Sequence, residues 1–138
     1  MYSDKYLGEI ERAMVAIRRR QRRRVLGREA PPYADVLDVI EESGPVTVSA
    51  VAEALSVDQP RASRLASAAV EAGMVRRVAD QADGRRALLE LTDAGLAALA
   101  EAHRVRQAAF GAAVEGWTEE ERASFAGLLT RFIGGLGS

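Results

Sequence analysis

The sequence contains no cysteine, only one histidine and one lysine, and only 5% aromatic residues among its 138 positions. The absence of cysteine excludes disulfides, thiolate metal sites and thiol redox chemistry. A single histidine is also poor material for a metal site, because no second imidazole is available within the chain. We therefore expect neither a bound metal nor another cofactor.

Long apolar runs are missing as well. No stretch approaches the roughly 18 apolar residues of a membrane-spanning helix. The acidic, amphipathic N-terminus at residues 1–14 differs from the basic and then apolar layout of a signal peptide. The sequence also lacks the patterns G-x-x-x-x-G-K, H-E-x-x-H and G-x-S-x-G. These absences predict a soluble, cytoplasmic protein that has no membrane partner and is not an enzyme.

The charged residues that are present change sign from block to block. Residues 12–28 contain eight arginines and no acid, and residues 29–60 contain seven acids and no base. Residues 61–86 then contain six arginines against three acids. Such basic blocks say more about binding partners than the net charge of −1 does. By length, the chain forms a single domain at 1–138.

Apolar periodicity predicts a mostly α-helical fold. Apolar residues at spacings of three and four indicate an amphipathic helix at about 4–26. Apolar spacing and the candidate caps Ser49, Asp58, Thr92 and Thr118 predict further helices at about 33–42, 49–55, 59–72, 93–115 and 118–133. Two short extended segments, 74–79 and 85–91, flank a polar stretch that ends in Asp83-Gly84, which is a hairpin signal.

The order of these elements indicates a winged helix-turn-helix. The helices at 49–55 and 59–72 are joined by a tight turn, and the hairpin follows them directly as a wing. The fold class that we predict is therefore mostly α with a small β-wing. In it, the winged helix-turn-helix is flanked by N- and C-terminal dimerisation helices.

The second helix of a helix-turn-helix presents its first turns to base edges in the major groove. The side chains there that can bond bases or phosphates are Gln59, Arg61, Ser63 and Arg64. Glutamine can pair with adenine and arginine with guanine in bidentate fashion, while serine can bond a base or a phosphate. Taken alone, however, two arginines are better explained by a solvated helix face.

The wing changes that balance, because four arginines begin it or follow its tip: Arg76, Arg77, Arg85 and Arg86. Arginine on a narrow ribbon can enter the minor groove, where the negative potential is enhanced. Asp83 is spaced to hold the Arg85 guanidinium by a charge-assisted bond, although Asp83-Gly84 is equally well explained as turn chemistry. Six arginines on two adjacent elements predict that the chain binds double-stranded DNA.

The run VTVSAVAEALSVDQPRASRLASAAVEAGMVRR, followed by DGRRALLELTDAG, resembles the MarR family of bacterial winged-helix transcription regulators. The most specific part is Asp83–Arg86 followed by Leu91-Thr92, and Ser63-Arg64-Leu65 is the next best match. The resemblance implies that Arg85 inserts into the minor groove. It also implies a homodimer formed through the terminal helices, and a repressor that a small-molecule effector releases from DNA.

Apolar stripes outside the winged part support a homodimer independently. The winged part covers about 33–91, and the predicted dimerisation helices at about 4–26 and 93–135 surround it. The last helix is expected to bury Phe125, Leu128, Leu129, Phe132 and Ile133. A two-fold dimer places two recognition helices about 34–36 Å apart, one turn of DNA, and so predicts a pseudo-palindromic operator.

Three features leave alternatives open. The wing arginines would also suit an acidic protein surface, so a winged-helix module for protein–protein contact is the alternative function. The arginines at 18–24 fit phosphate contact or, better, a solvated face. His103 lies on the apolar stripe of the long helix, where core or dimer-interface packing explains it best and a pH-sensitive switch or ligand contact is the alternative.

Overall fold

The computed structural model of the chain describes residues 5–22 and 30–137. In this part the elements are α1 (Lys5–Arg22), α2 (Ala34–Ser43), α3 (Val48–Leu55), α4 (Gln59–Glu71), β1 (Val75–Ala79), β2 (Ala87–Leu91), α5 (Asp93–Ala113) and α6 (Glu119–Gly135). The predicted order of elements is confirmed. The predicted end of the first helix, near residue 26, lies outside the described residues.

The apolar core is enclosed by α2, α3, α4, the hairpin and the start of α5. Its buried side chains are Val36, Leu37, Ile40, Val51, Ala52, Ala62, Ala66, Ala69, Val75, Leu89 and Leu99. The fully buried side chains of α4 are all alanines, spaced by four and three residues on one face of the helix, and Leu65 and Val70 pack partly buried beside them. Because the alanine side chains are short, α4 lies close against the core and leaves its opposite face to the solvent.

The two strands pair antiparallel, with Val75 opposite Leu91 and Ala79 opposite Ala87. The second strand begins at Ala87 and not at Arg85, as the sequence had indicated. The backbone turns first, because the Arg86 N–H donates to the carbonyl of Asp83 at 3.0 Å. Both Arg85 and Arg86 therefore belong to the loop at the wing tip.

Side chains close three of the helix starts as predicted, and one prediction is wrong. Asp58, Thr92 and Thr118 are N-caps, and Thr118 forms a capping box with Glu121. The cap of α3 is Thr47 rather than Ser49, because the Thr47 hydroxyl accepts the Ala50 N–H at 3.1 Å and the helix already begins at Val48.

The start of α5 is fixed tightly against the end of α4. The Thr92 hydroxyl donates to the Gly73 carbonyl at 2.6 Å and accepts the Gly95 N–H at 3.1 Å. The Thr92 N–H donates to the Met74 carbonyl at 3.1 Å. Gly95 is buried against that same carbonyl, so the backbones of α5 and of the turn before β1 are in direct contact.

The outer helices contribute little to this core. Neither α1 nor α6 packs extensively against another element of the described chain. The expectation that α6 buries its apolar residues is wrong for a single chain, since Leu128 is 55% and Ile133 57% exposed. No helix in the described part of the chain has the length and the apolar character to cross a membrane.

Replacing Gly95 with alanine is expected to destabilise the fold by about 1–3 kcal/mol or more, as overpacked sites do. A Cβ at this position would collide with the Met74 carbonyl oxygen, and backbone cannot yield as a flexible side chain can. Gly111→Ala, in the same helix and with open space around it, is the control. That control should stabilise the protein slightly, since alanine favours a helix interior. Urea unfolding measures both, and equal effects would contradict the proposed close approach.

Replacing Asp80 with asparagine is expected to change the pH dependence of stability. The pKa of Asp80 is lowered by the Ala82 N–H, and next by the Arg86 guanidinium. A carboxyl with a lowered pKa stabilises the fold above its ordinary value of about 3.9 and loses this effect as the pH falls through the lowered value. The wild type should therefore exceed Asp80→Asn in free energy of unfolding by a constant amount above about pH 5. The difference should shrink towards pH 3, and one that stays constant there would contradict the prediction.

Candidate nucleic-acid interface

The N-terminus of α4 is closed by its own cap and presents polar side chains outward. The Asp58 carboxylate accepts the Arg61 N–H at 2.8 Å, so this acid is used by the helix and its charge is favourable there. Pro60 fits the first turn, where a missing N–H costs little. The four predicted contact residues on this helix are all exposed: Gln59, Arg61, Ser63 and Arg64.

Arg85 stands at the tip of the wing with 92% of its side chain exposed. The Asp83 carboxylate accepts from the Arg85 Nε at 3.3 Å and from its backbone N–H at 3.1 Å. The predicted bond between these two residues is confirmed. It uses only Nε, so within the described chain the terminal guanidinium nitrogens of Arg85 have no partner. They face the solvent.

Arg86 has a different role from its neighbour. Its Nε and Nη2 both donate to Oδ2 of Asp80, at 3.1 and 2.6 Å. The Asp80 carboxylate, which is buried, also accepts the Ala82 N–H at 2.9 Å. The loop from Asp80 to Arg86 is therefore folded around a single carboxylate, and the Arg86 charge is balanced inside the wing.

Arg76 and Arg77 point to opposite faces of β1, as neighbours in a strand must. Arg76 Nε donates to the carboxylate of Glu90, its cross-strand neighbour, at 2.8 Å. Arg77 Nη2 donates to the Ser67 hydroxyl at 3.1 Å and so ties the wing to α4. The sequence placed both at one interface, but only Arg77 lies on the side of the recognition helix.

The structure thus divides the predicted site residues into two groups. The residues of the first group face outward and have no acidic partner on another element. They are Gln59, Arg61, Ser63, Arg64 and Arg85, together with Asp83, which orients Arg85. The second group, Arg76, Arg77 and Arg86, bonds to partners that sequence reasoning missed: Glu90, Ser67 and Asp80. The alternation of β1 and β2 could have paired Arg76 with Glu90, whereas no local pattern indicated Ser67.

The remaining candidates lie away from this surface. Of the two kinds of packing favoured for His103, packing in the apolar core is wrong, because its ring bonds Glu41 and Arg106. Packing in a dimer interface stays a prediction. The side chains of Arg18, Arg19 and Arg20 are exposed on α1, while Arg23 and Arg24 lie outside the described residues. Within residues 5–22 and 30–137, no group of histidine and acidic side chains is arranged to hold a metal ion.

Comparison with known proteins agrees with the winged helix-turn-helix fold. A model of the MarR family matches residues 30–86, which include the helix-turn-helix and the wing tip. A search of curated protein sequences finds no match.

Solved structures similar to the chain cover nearly all of it. A MarR family protein from Bacillus stearothermophilus has a TM-score of 0.81 at 21% identity, over 97% of both chains. Wild-type MarR from E. coli has a TM-score of 0.66 at 24% identity, over 87% of this chain and 94% of that one. The PcaV transcriptional regulator from Streptomyces coelicolor, solved with its natural ligand, has a TM-score of 0.58 at 24% identity, over 89% and 92%. The winged unit, which is the part of the chain from α2 to β2, therefore belongs to the MarR family of winged-helix transcriptional regulators. The chain as a whole has the fold of that family.

Proposed function

We propose that this chain is a sequence-specific, double-stranded-DNA-binding transcriptional regulator that acts in the cytoplasm as a homodimer. The observation that carries the proposal is the position of Arg85. Its guanidinium is exposed at the tip of the wing. The wing lies beside α4, whose outward face carries the arginine, glutamine and serine side chains that commonly bond DNA bases. Such an arrangement suits a duplex, in which a major and a minor groove lie next to each other.

In the proposed complex, α4 enters the major groove by its N-terminal turns. Arg61 and Arg64 reach guanine or phosphate, Gln59 reaches adenine, and Ser63 bonds either a base or a phosphate. The alanine face of α4 holds the helix against the core, so these side chains are presented from a rigid support. Arg85 enters the adjacent minor groove, where Asp83 limits the directions that its guanidinium can take.

The homodimer is supported by apolar surface outside the winged unit. Leu7, Ile10 and Ile17 are exposed on α1, and Leu128 and Ile133 on α6. Burying apolar surface is favourable by about 25 cal/mol of free energy for each square ångström that is removed from water. Pairing of the terminal helices across a two-fold axis would cover both faces and present two recognition helices to a pseudo-palindromic operator.

We further propose that the regulator is a repressor and that a small-molecule effector relieves repression. This rests on the family to which the winged unit belongs and on the crystallisation of PcaV, a protein of similar fold, with its natural ligand. No cysteine is present, so thiol oxidation is not the signal.

Arg85→Ala, Arg61→Ala and Arg64→Ala are each expected to lower affinity for the operator by about 5- to 150-fold for each protomer's lost contact, which corresponds to about 1–3 kcal/mol. Fluorescence anisotropy with a duplex from the protein's own upstream intergenic region, against a shuffled duplex, measures this. Arg104→Ala is the matched control, because Arg104 is exposed but pairs within α5 with Glu101. Its affinity should equal that of the wild type.

The salt dependence should separate DNA binding from protein contact. The three outward-facing arginines of each protomer, Arg61, Arg64 and Arg85, give six cations in the dimer and predict a slope of log affinity against log salt of about −5. Specific binding should survive competitor DNA. Equal, weak binding of both duplexes with unchanged affinity in the arginine variants would contradict the proposal and favour a winged-helix module for protein contact.

The sedimentation mass is expected to equal two chains at micromolar concentration. Leu128→Glu places a charge on the apolar face of α6 and should shift the protein to a monomer, because the charge would lose its hydration in the interface. Ala123→Glu adds the same charge on the opposite side of α6 and should leave the dimer intact. A wild-type mass of one chain would overturn the proposed dimer.

A further inference from the structure

Helix α5 is attached to the winged unit at successive levels along its length. Thr92 and Gly95 contact the turn between α4 and β1, and Leu99 enters the apolar core one turn later. One turn after Leu99 comes His103, which bonds Glu41 near the end of α2. Beyond this level the apolar side chain of Phe110 is exposed. The contact through His103 is thus the outermost of these attachments before α5 leaves the winged unit.

The contact is a chain of three side chains. The His103 Nε2 lies 2.9 Å from both carboxylate oxygens of Glu41. The His103 Nδ1 lies 2.9 Å from Nη2 of Arg106, which stands one turn further along α5. Arg106 therefore holds the ring from its own helix, while the ring reaches across to α2.

Hydrogen-bond chemistry assigns the proton on the ring. A guanidinium can only donate, so Nδ1 of His103 must accept from Arg106. The ring proton then lies on Nε2 and points to the Glu41 carboxylate, which can only accept. Only the neutral Nε2–H tautomer satisfies both bonds, since a proton on Nδ1 would face the arginine.

Further acids on α2 face this chain. Asp38 is partly buried, and burial raises its pKa, while the Arg106 charge lowers it. The charges of Asp35 and Glu41 act in the same direction as burial, and the pKa of Asp38 is raised overall. Arg106 thus bonds the His103 ring on its own helix and attracts Asp38 on α2, so it links the same two helices as His103 does.

We propose that Glu41, His103 and Arg106 form a strut that fixes the angle between the winged unit and the outer half of α5. The second part of the proposal rests on the proposed homodimer. In that homodimer, the angle sets the separation of the two recognition helices. All three are positioning residues that act on DNA binding without touching DNA.

The geometry makes the angle important. From residue 103 to its end at residue 113, α5 extends about 15 Å, so a tilt of roughly 10° at the strut moves the far end by about 3 Å. Two recognition helices must match sites one DNA turn apart, about 34–36 Å. A displacement of this size in each protomer would misplace both helices relative to the grooves.

Paired spin labels measure the angle directly. Because the sequence has no cysteine, the changes Glu71→Cys at the end of α4 and Glu115→Cys after α5, both at exposed positions, give two specific labels. The labelled chain is mixed with an excess of unlabelled chain, so that pulsed electron resonance records the distance within one chain whether or not it dimerises. Circular dichroism confirms that each variant is folded.

The wild type should give one narrow distance. His103→Ala and Glu41→Ala should shift or broaden it by about 3 Å, as the tilt estimated above requires. His103→Gln keeps a donor near the Nε2 position and should largely restore the wild-type distance. Arg104→Ala, whose pair lies within α5, should leave it unchanged. A wild-type distance in both alanine variants would overturn the strut.

Nitrogen-15 NMR tests the tautomer, and its signal is unambiguous because His103 is the only histidine. A bare Nδ1 and a protonated Nε2 at neutral pH are expected, and the reverse would overturn the assigned bonds.

Operator affinity then tests the second part of the proposal. His103→Ala should bind about tenfold more weakly than Arg104→Ala, a difference of about 1.4 kcal/mol. A changed distance with unchanged affinity would overturn the role in DNA binding and leave the strut itself standing. Failure of the wild type to bind any operator or to dimerise would instead count against the proposed function, because the distance within one chain depends on neither.

Discussion

The close packing of the alanine face of α4 against the core is the constraint on which the rest of the structure depends. Ala62, Ala66 and Ala69 are fully buried, and Leu65 and Val70 of the same helix pack partly buried against the core. Because its inner face packs against the core, α4 leaves its outer face exposed to the solvent. The same helix also positions the wing. The turn after α4 leads directly into β1, and Arg77 of β1 bonds Ser67 of α4.

Arginines of identical chemistry serve two purposes in the winged unit. Arg76 and Arg86 meet Glu90 and Asp80, and these bonds shape the wing. Exposed ion pairs stabilise a protein little, but Asp80 is buried, so its partner stabilises the loop through a carboxylate that would otherwise be costly to bury. Arg85 is thereby presented on an ordered loop. Ordering the loop before binding lowers the entropy that the proposed DNA complex would lose.

Local chemistry made much of this predictable. The caps Asp58, Thr92 and Thr118 are short-range bonds between residues three apart, and the bond from Asp83 to Arg85 spans two. The errors arose where a distant or competing partner intervened. Thr47 rather than Ser49 caps α3, and Asp80 draws Arg86 out of the predicted strand. His103 sits on an apolar stripe by spacing, but Glu41, 62 residues earlier, determines its surroundings.

The sequence by itself determined the order of elements, the winged helix-turn-helix and the residue types at its outer surface, because periodicity, caps and turns depend on neighbours in the chain. It also determined that α1 and α6 carry apolar faces. Only the tertiary structure decided which arginines of the described winged unit have no partner on another element. Glu90 bonds Arg76 across the hairpin, Ser67 of α4 bonds Arg77, and Asp80 bonds Arg86 across the loop. Only the tertiary structure placed His103 of α5 against Glu41 of α2, because this contact depends on how the two helices pack and no local pattern encodes it.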